Sequence, residues 1–104
     1  MQPADSVDPQ VRYVRSPDFL ARDIGGHTVL IPLAGGIGAR DEEVFSLNPT
    51  GAAVWRELDG SASLGQVAVR LASRYGAAPA DVERDALTLV AELLDRGMVH
   101  AVGD

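Results

Sequence analysis

FLARDI (residues 19–24) and HTVLIPL (residues 27–33) are runs of β-prone residues, the second with Val29, Ile31 and Leu33 alternating with Thr28, Leu30 and Pro32, which predicts two β-strands. The pair Gly25-Gly26 between them is the kind of glycine turn that closes a tight hairpin. Pro32 has no N–H to donate, so it belongs at a strand end or on an edge. A glycine-rich stretch at 34–42 then leads into a short third strand, EVFSL (residues 43–47), with Phe45 and Leu47 on one side and Val44 and Ser46 on the other.

At Asn48 the period changes from two to 3.6. Asn48 is placed to cap a helix whose first position is Pro49, with Val54, Trp55 and Leu58 on one stripe and a stop at the turn Asp59-Gly60. Ser63 and Gln66 stand at capping-box spacing for a second helix, which carries Leu64, Val67, Ala68, Leu71 and Tyr75 inward and ends at Gly76. A third helix runs from about Pro79 to Arg96. Its core stripe is Val82, Ala86, Leu89, Val90 and Leu93, and Asp85, Thr88 and Glu92 adjoin Leu89 on one flank. MVHAV (residues 98–102) either pairs as a last strand or lies over the core as a small wing. Residues 1 to about 17 carry Pro3, Pro9 and Pro17 and read as a flexible lead-in, with the folded domain starting near Asp18 and continuing to 104. The predicted class is α+β and winged-helix-like: a three-stranded antiparallel sheet followed by three helices.

Composition narrows the chemistry. With 104 residues the chain has room for one domain. Cysteine is absent, which removes disulfides, thiol nucleophiles and cysteine-ligated metals. The net charge of −6 opposes a phosphate backbone, and a DNA-binding reading would need Arg70, Arg74 and Arg84 gathered into one patch. No apolar run is long enough for a membrane span and the N-terminus does not look like a signal peptide, so a cytoplasmic protein without a membrane partner is expected.

Candidate catalytic groups are sparse. His27 and His100 stand apart from any second ligand, and the glycines at 35, 36 and 38 lack the Lys-Ser/Thr and the following helix of a phosphate loop. The serines and Thr50 are explained by capping. No catalytic, metal-binding or cofactor-binding residue is assigned. Trp55 and Tyr75 read as core residues. The feature left over is the third strand, which sits at the edge of its sheet and carries no Lys or Pro between Val44 and Leu47 to block pairing with another chain.

The stretch from Phe45 to Val99 resembles the PqqD-like family of RiPP recognition elements. The resemblance rests on Leu47, Asn48, Thr50, Gly51 and Trp55; on Leu58, Asp59 and Gly60; on Leu71, Tyr75 and Gly76; and on the run from Asp85 through Gly97 and Val99. It implies a non-catalytic chaperone that binds the leader of a ribosomally made precursor peptide. The leader would add as a strand beside the third strand and lie against the third helix, on Glu43, Val44, Phe45, Ser46, Asp85, Thr88, Leu89 and Glu92. Asp85 and Glu92 would favour a basic leader side chain or a peptide N–H. The implied partner is a modifying enzyme, either a radical SAM enzyme or a leader peptidase, with no cofactor and no nucleic acid. A subunit or homodimerisation module is the alternative, and a winged-helix DNA regulator a weaker one.

Overall fold

The computed structural model describes residues 7–33 and 45–102. The elements in chain order are β1 (Arg12–Arg15), β2 (Phe19–Ile24), β3 (His27–Pro32), β4 (Phe45–Leu47), α1 (Pro49–Glu57), β5 (Asp59–Ser63), α2 (Leu64–Tyr75), α3 (Pro79–Asp95) and β6 (Val99–Ala101). The α+β class, the hairpin, the following strand and the three helices all agree with the sequence reading. The structure adds a second sheet, so the strands form two antiparallel sheets of three, ordered β2-β3-β4 and β5-β1-β6.

Gly25 and Gly26 both adopt positive φ, 58° and 85°, which is the backbone of a type I′ turn and matches the right-handed twist of the strands it joins. The turn sets the register, with Ile24 opposite His27, Leu20 opposite Ile31 and Phe19 opposite Pro32. β4 then pairs with β3 through Thr28–Leu47, Val29–Ser46 and Leu30–Phe45. Opposed residues share a face, so Leu30, Phe45 and Leu47 point inward together.

The second sheet changes where the domain begins. The expectation of a flexible lead-in to about residue 17 gives way over the described residues from Val7 onward. β1 is the central strand of its sheet, paired with β5 on one side and β6 on the other. Val7, Tyr13 and Ser16 are buried. The Tyr13 hydroxyl accepts the Asp8 amide at 3.2 Å, and the Ser16 amide donates to the Met98 carbonyl at 2.9 Å. Both partners of β1 lie more than 40 residues away in sequence, so RYVR on its own shows no more than four residues of weak alternation.

The predicted turn at Asp59-Gly60 is the start of β5. Gly60 has φ of 81° where the β1–β5 register shifts, and a Cβ there would stand 3.2 Å from Val102. The positive φ at this irregularity favours glycine, and Val102, just past β6, crowds any side chain placed there. The Ser61 hydroxyl and amide both donate to the Asp59 carboxylate and hold its pKa below the ordinary 3.8. This contribution to stability is present above about pH 4 and fades as the pH falls through the lowered value.

The helix caps follow the sequence. The Asn48 side chain accepts from the Gly51 amide at 2.6 Å, and Ser63 and Gln66 form a reciprocal capping box. Gly51, Ala52, Ala53, Val54 and Trp55 are buried in succession, so the middle of α1 is enclosed on every side. It packs against α2, α3, β3 and β4, and its small residues let those neighbours close in. Leu64, Val67 and Leu71 of α2 and Val90 and Leu93 of α3 complete the interior. Tyr75 departs from expectation: it falls on the apolar stripe of α2, but on the last turn beyond the core, and is 64% exposed.

Deleting residues 1–17 removes the middle of one sheet and the buried Val7, Tyr13 and Ser16. The shortened chain is expected to lose cooperative thermal unfolding, read by circular dichroism; an unchanged midpoint would show that the domain starts at Asp18.

Candidate functional site

The free edge of the β2-β3-β4 sheet is the side of β4 away from β3. Among the described residues β4 pairs with β3 alone. Backbone alternation then dictates which groups it presents. In a two-residue hairpin the closing pair, here Ile24 and His27, exchanges hydrogen bonds, so His27, Val29 and Ile31 turn their N–H and C=O groups toward β2. Thr28 and Leu30 turn theirs toward β4, where they meet Leu47 and Phe45. Ser46, opposite Val29, is left with its N–H and C=O pointing to the open edge.

Alongside this edge runs a groove of about 280 Å³ between β4 and α3. One wall is Phe45, Ser46 and Leu47, the floor reaches Asn48 and Gly51, and the other wall is Asp85, Thr88, Leu89 and Glu92. Phe45 and Leu89 are half-buried, whereas Ser46, Asp85, Thr88 and Glu92 are exposed. Six of the eight residues singled out from the sequence therefore meet in one cleft. The other two, Glu43 and Val44, lie outside the described residues.

Gly51 sets how closely the two walls approach. A Cβ at this position would stand 3.1 Å from the Asn48 side-chain oxygen, 3.4 Å from a Leu89 methyl and 3.5 Å from a Leu47 methyl. The α1 N-terminus thus touches both walls at once, and Leu47 and Leu89 close over it. Sequence reasoning did not place Leu47, Asn48 or Gly51 in the site. The signal was present in the small residue that follows a helix cap directly after an edge strand.

Arg96 was also missed. Its guanidinium lies over the Phe45 ring, 4.9 Å from the centroid, and Nη1 donates to the Glu92 carbonyl at 3.3 Å. Arg96 lies one helical turn beyond Glu92 on the same side of α3, a spacing visible in the sequence. This contact ties the end of α3 to the start of β4. Thr88 donates to the Arg84 carbonyl at 3.1 Å, which occupies its hydroxyl hydrogen. Asp85 and Glu92 have no ion-pair partner among the described residues, so the helical wall is acidic.

The arginines a nucleic-acid surface would need are otherwise engaged. Arg70 and Arg74 both pair with Glu57, and Arg84 pairs with Asp81. His27 and His100 are exposed on different sheets, and among the described residues no three His, Cys, Asp or Glu side chains cluster to hold a metal. No helix among those residues is long and apolar enough to cross a membrane.

The described residues thus form an α+β domain with an open sheet edge beside a helical wall. The model of the family described as coenzyme PQQ synthesis protein D matches residues 28–99, and the chain belongs to this PqqD family. The solution NMR structure of the PqqD truncation of Methylobacterium extorquens PqqCD, a functional, stand-alone RiPP recognition element, has the same fold. Its TM-score is 0.72 at 24% identity, over 96% of this chain and 99% of that one. Lasso peptide synthetase B1, solved in complex with its leader peptide, matches with a TM-score of 0.65 at 28% identity, over 86% of this chain and 98% of that one. A comparison with curated proteins finds no match.

Replacing Gly51 with Val drives a branched side chain against Asn48, Leu47 and Leu89. The expected cost is about 1–3 kcal/mol in urea denaturation. A neutral result would show that Gly51 does not set the spacing of β4 and α3.

Proposed function

We propose that this domain is a non-catalytic recognition element that binds the leader segment of a ribosomally made precursor peptide by strand addition to β4, in the groove against α3, and presents it to a modifying enzyme. The observation that carries this reading is the outward-facing backbone of Ser46 beside a groove walled by a helix. Family membership and the leader-bound lasso synthetase structure support it.

The forces involved divide the work. Backbone hydrogen bonds at Ser46 accept an extended segment with little regard to its sequence. Alternate side chains of that segment turn toward Phe45, Leu47 and Leu89, where shape and polarity select among leaders. A disordered leader loses conformational entropy on binding, so micromolar affinity, about −8 kcal/mol, is expected. Holding the leader raises the local concentration of the attached core peptide at the enzyme. A radical SAM enzyme or a leader peptidase acting in the cytoplasm fits this role. The remaining two predicted contacts, Glu43 and Val44, would extend the same edge. The edge that takes a leader could instead take β4 of a second copy, in which case added leader would dissociate the homodimer.

Ser46→Pro removes the outward N–H while leaving the β3-facing groups of Phe45 and Leu47 in place. With a synthetic leader from a precursor encoded beside this gene, the variant is expected to keep its circular dichroism spectrum and lose at least about tenfold in affinity by calorimetry, one or more charge-neutral hydrogen bonds being lost. Wild-type affinity in the folded variant would place the leader elsewhere.

A further inference from the structure

Resting on that reading, the charges along α3 define which extended segment the groove prefers. We infer that the bound strand carries basic side chains at two positions four residues apart, with an apolar side chain midway between them, so that its inward face reads basic, apolar, basic.

The helical wall presents Asp85, Leu89 and Glu92 in that order on one face. At about 1.5 Å of rise per residue, Asp85 and Glu92 are about 10.5 Å apart along the helix axis. Alternate side chains of a strand are about 6.6 Å apart, so positions i and i+4 span about 13 Å. The difference of about 3 Å, shared between two ends, is within the reach of Lys or Arg side chains, whose charged heads swing on long flexible stems. The middle position then falls beside half-buried Leu89 and Phe45, the apolar part of the cleft.

Among the described residues neither carboxylate has a partner to displace. Asp81 pairs with Arg84 and Glu57 with Arg70 and Arg74, whereas Asp85 and Glu92 stand without a cation among the described residues. Among the described residues Arg96 is the one cation on this wall, and its guanidinium is held over Phe45 and on the Glu92 carbonyl at the end of the groove. The acidic stretch is thus bounded. A basic side chain placed one step past Glu92 would meet Arg96 and be disfavoured. The pattern reads the same in either chain direction, so it holds for parallel or antiparallel addition to β4.

The test uses the full chain and three synthetic peptides that share their flanks and differ only at the two outer positions: Arg-Thr-Leu-Thr-Arg, Gln-Thr-Leu-Thr-Gln and Glu-Thr-Leu-Thr-Glu. Dissociation constants come from amide shifts of Ser46, Leu47, Leu89 and Glu92. At low salt the Arg peptide should bind about fivefold more tightly than the Gln peptide, as expected for two exposed ion pairs, with the Glu peptide weakest. The order should compress in 0.5 M salt, and the difference should vanish in the double variant Asp85→Asn, Glu92→Gln, which keeps side-chain shape. Three equal constants, or a preference for Arg that survives in the double variant, would overturn the charge inference and leave strand addition standing. No shift at those four amides with any peptide at millimolar concentration would overturn both.

Discussion

The close approach of the α1 N-terminus to Leu47 and Leu89 is the contact on which the remaining geometry depends. Gly51 permits it, since a Cβ there would crowd the Asn48 cap at 3.1 Å and already touch the two leucine methyls, leaving no room for a larger side chain. Because α1 is enclosed from Gly51 to Trp55, it holds the β2-β3-β4 sheet and the other two helices at fixed distances. The groove is a consequence of that packing: α3 leans toward β4 at Leu89 and is tied to it again at Arg96 and Phe45. A buried helix of small residues thus creates an external cleft, and core packing and site geometry are one constraint.

The two sheets divide the labour. The β5-β1-β6 sheet is ordered around a central strand and joins residues from the beginning, middle and end of the chain. The β2-β3-β4 sheet is built locally, from a tight hairpin and the strand that follows it, and among the described residues ends in an unpaired edge. Edges of this kind are commonly blocked by Lys, Pro or a covering element, because they invite association. Here Phe45, Ser46 and Leu47 offer no such obstruction, and in the proposed mode of binding the acidic wall of α3 beside them would add chemical selectivity to an edge that accepts extended chains.

What could be read from sequence followed the range of the interactions involved. The Gly25-Gly26 hairpin, the Asn48 cap, the Ser63 and Gln66 capping box and the stripe of α3 each depend on residues within a few positions of one another, and the structure places them as expected. The grouping of Phe45 and Ser46 with Asp85, Thr88, Leu89 and Glu92 came from the resemblance to the PqqD-like family, and the structure brings these six residues to one groove. β1 did not, because its four residues become a strand only through partners at 59–63 and 99–101. Tyr75 was misplaced for a related reason: periodicity gives the face of a helix but not how far the core extends along it. The positions of Gly51 behind its cap and of Arg96 one turn past Glu92 are visible in the sequence, but the contacts to Leu89 and Phe45 that give them their roles are tertiary.

The central claim is that a peptide strand completes the backbone hydrogen bonding of β4, and hydrogen exchange of the Ser46 amide measures this directly. In the free domain that amide points to the open edge and should exchange rapidly, whereas saturating leader peptide should slow it strongly while Phe45 and Leu47, already bonded to β3, change little. If the peptide binds and Ser46 exchanges as fast as before, the leader is held by some other surface and the strand-addition account is wrong.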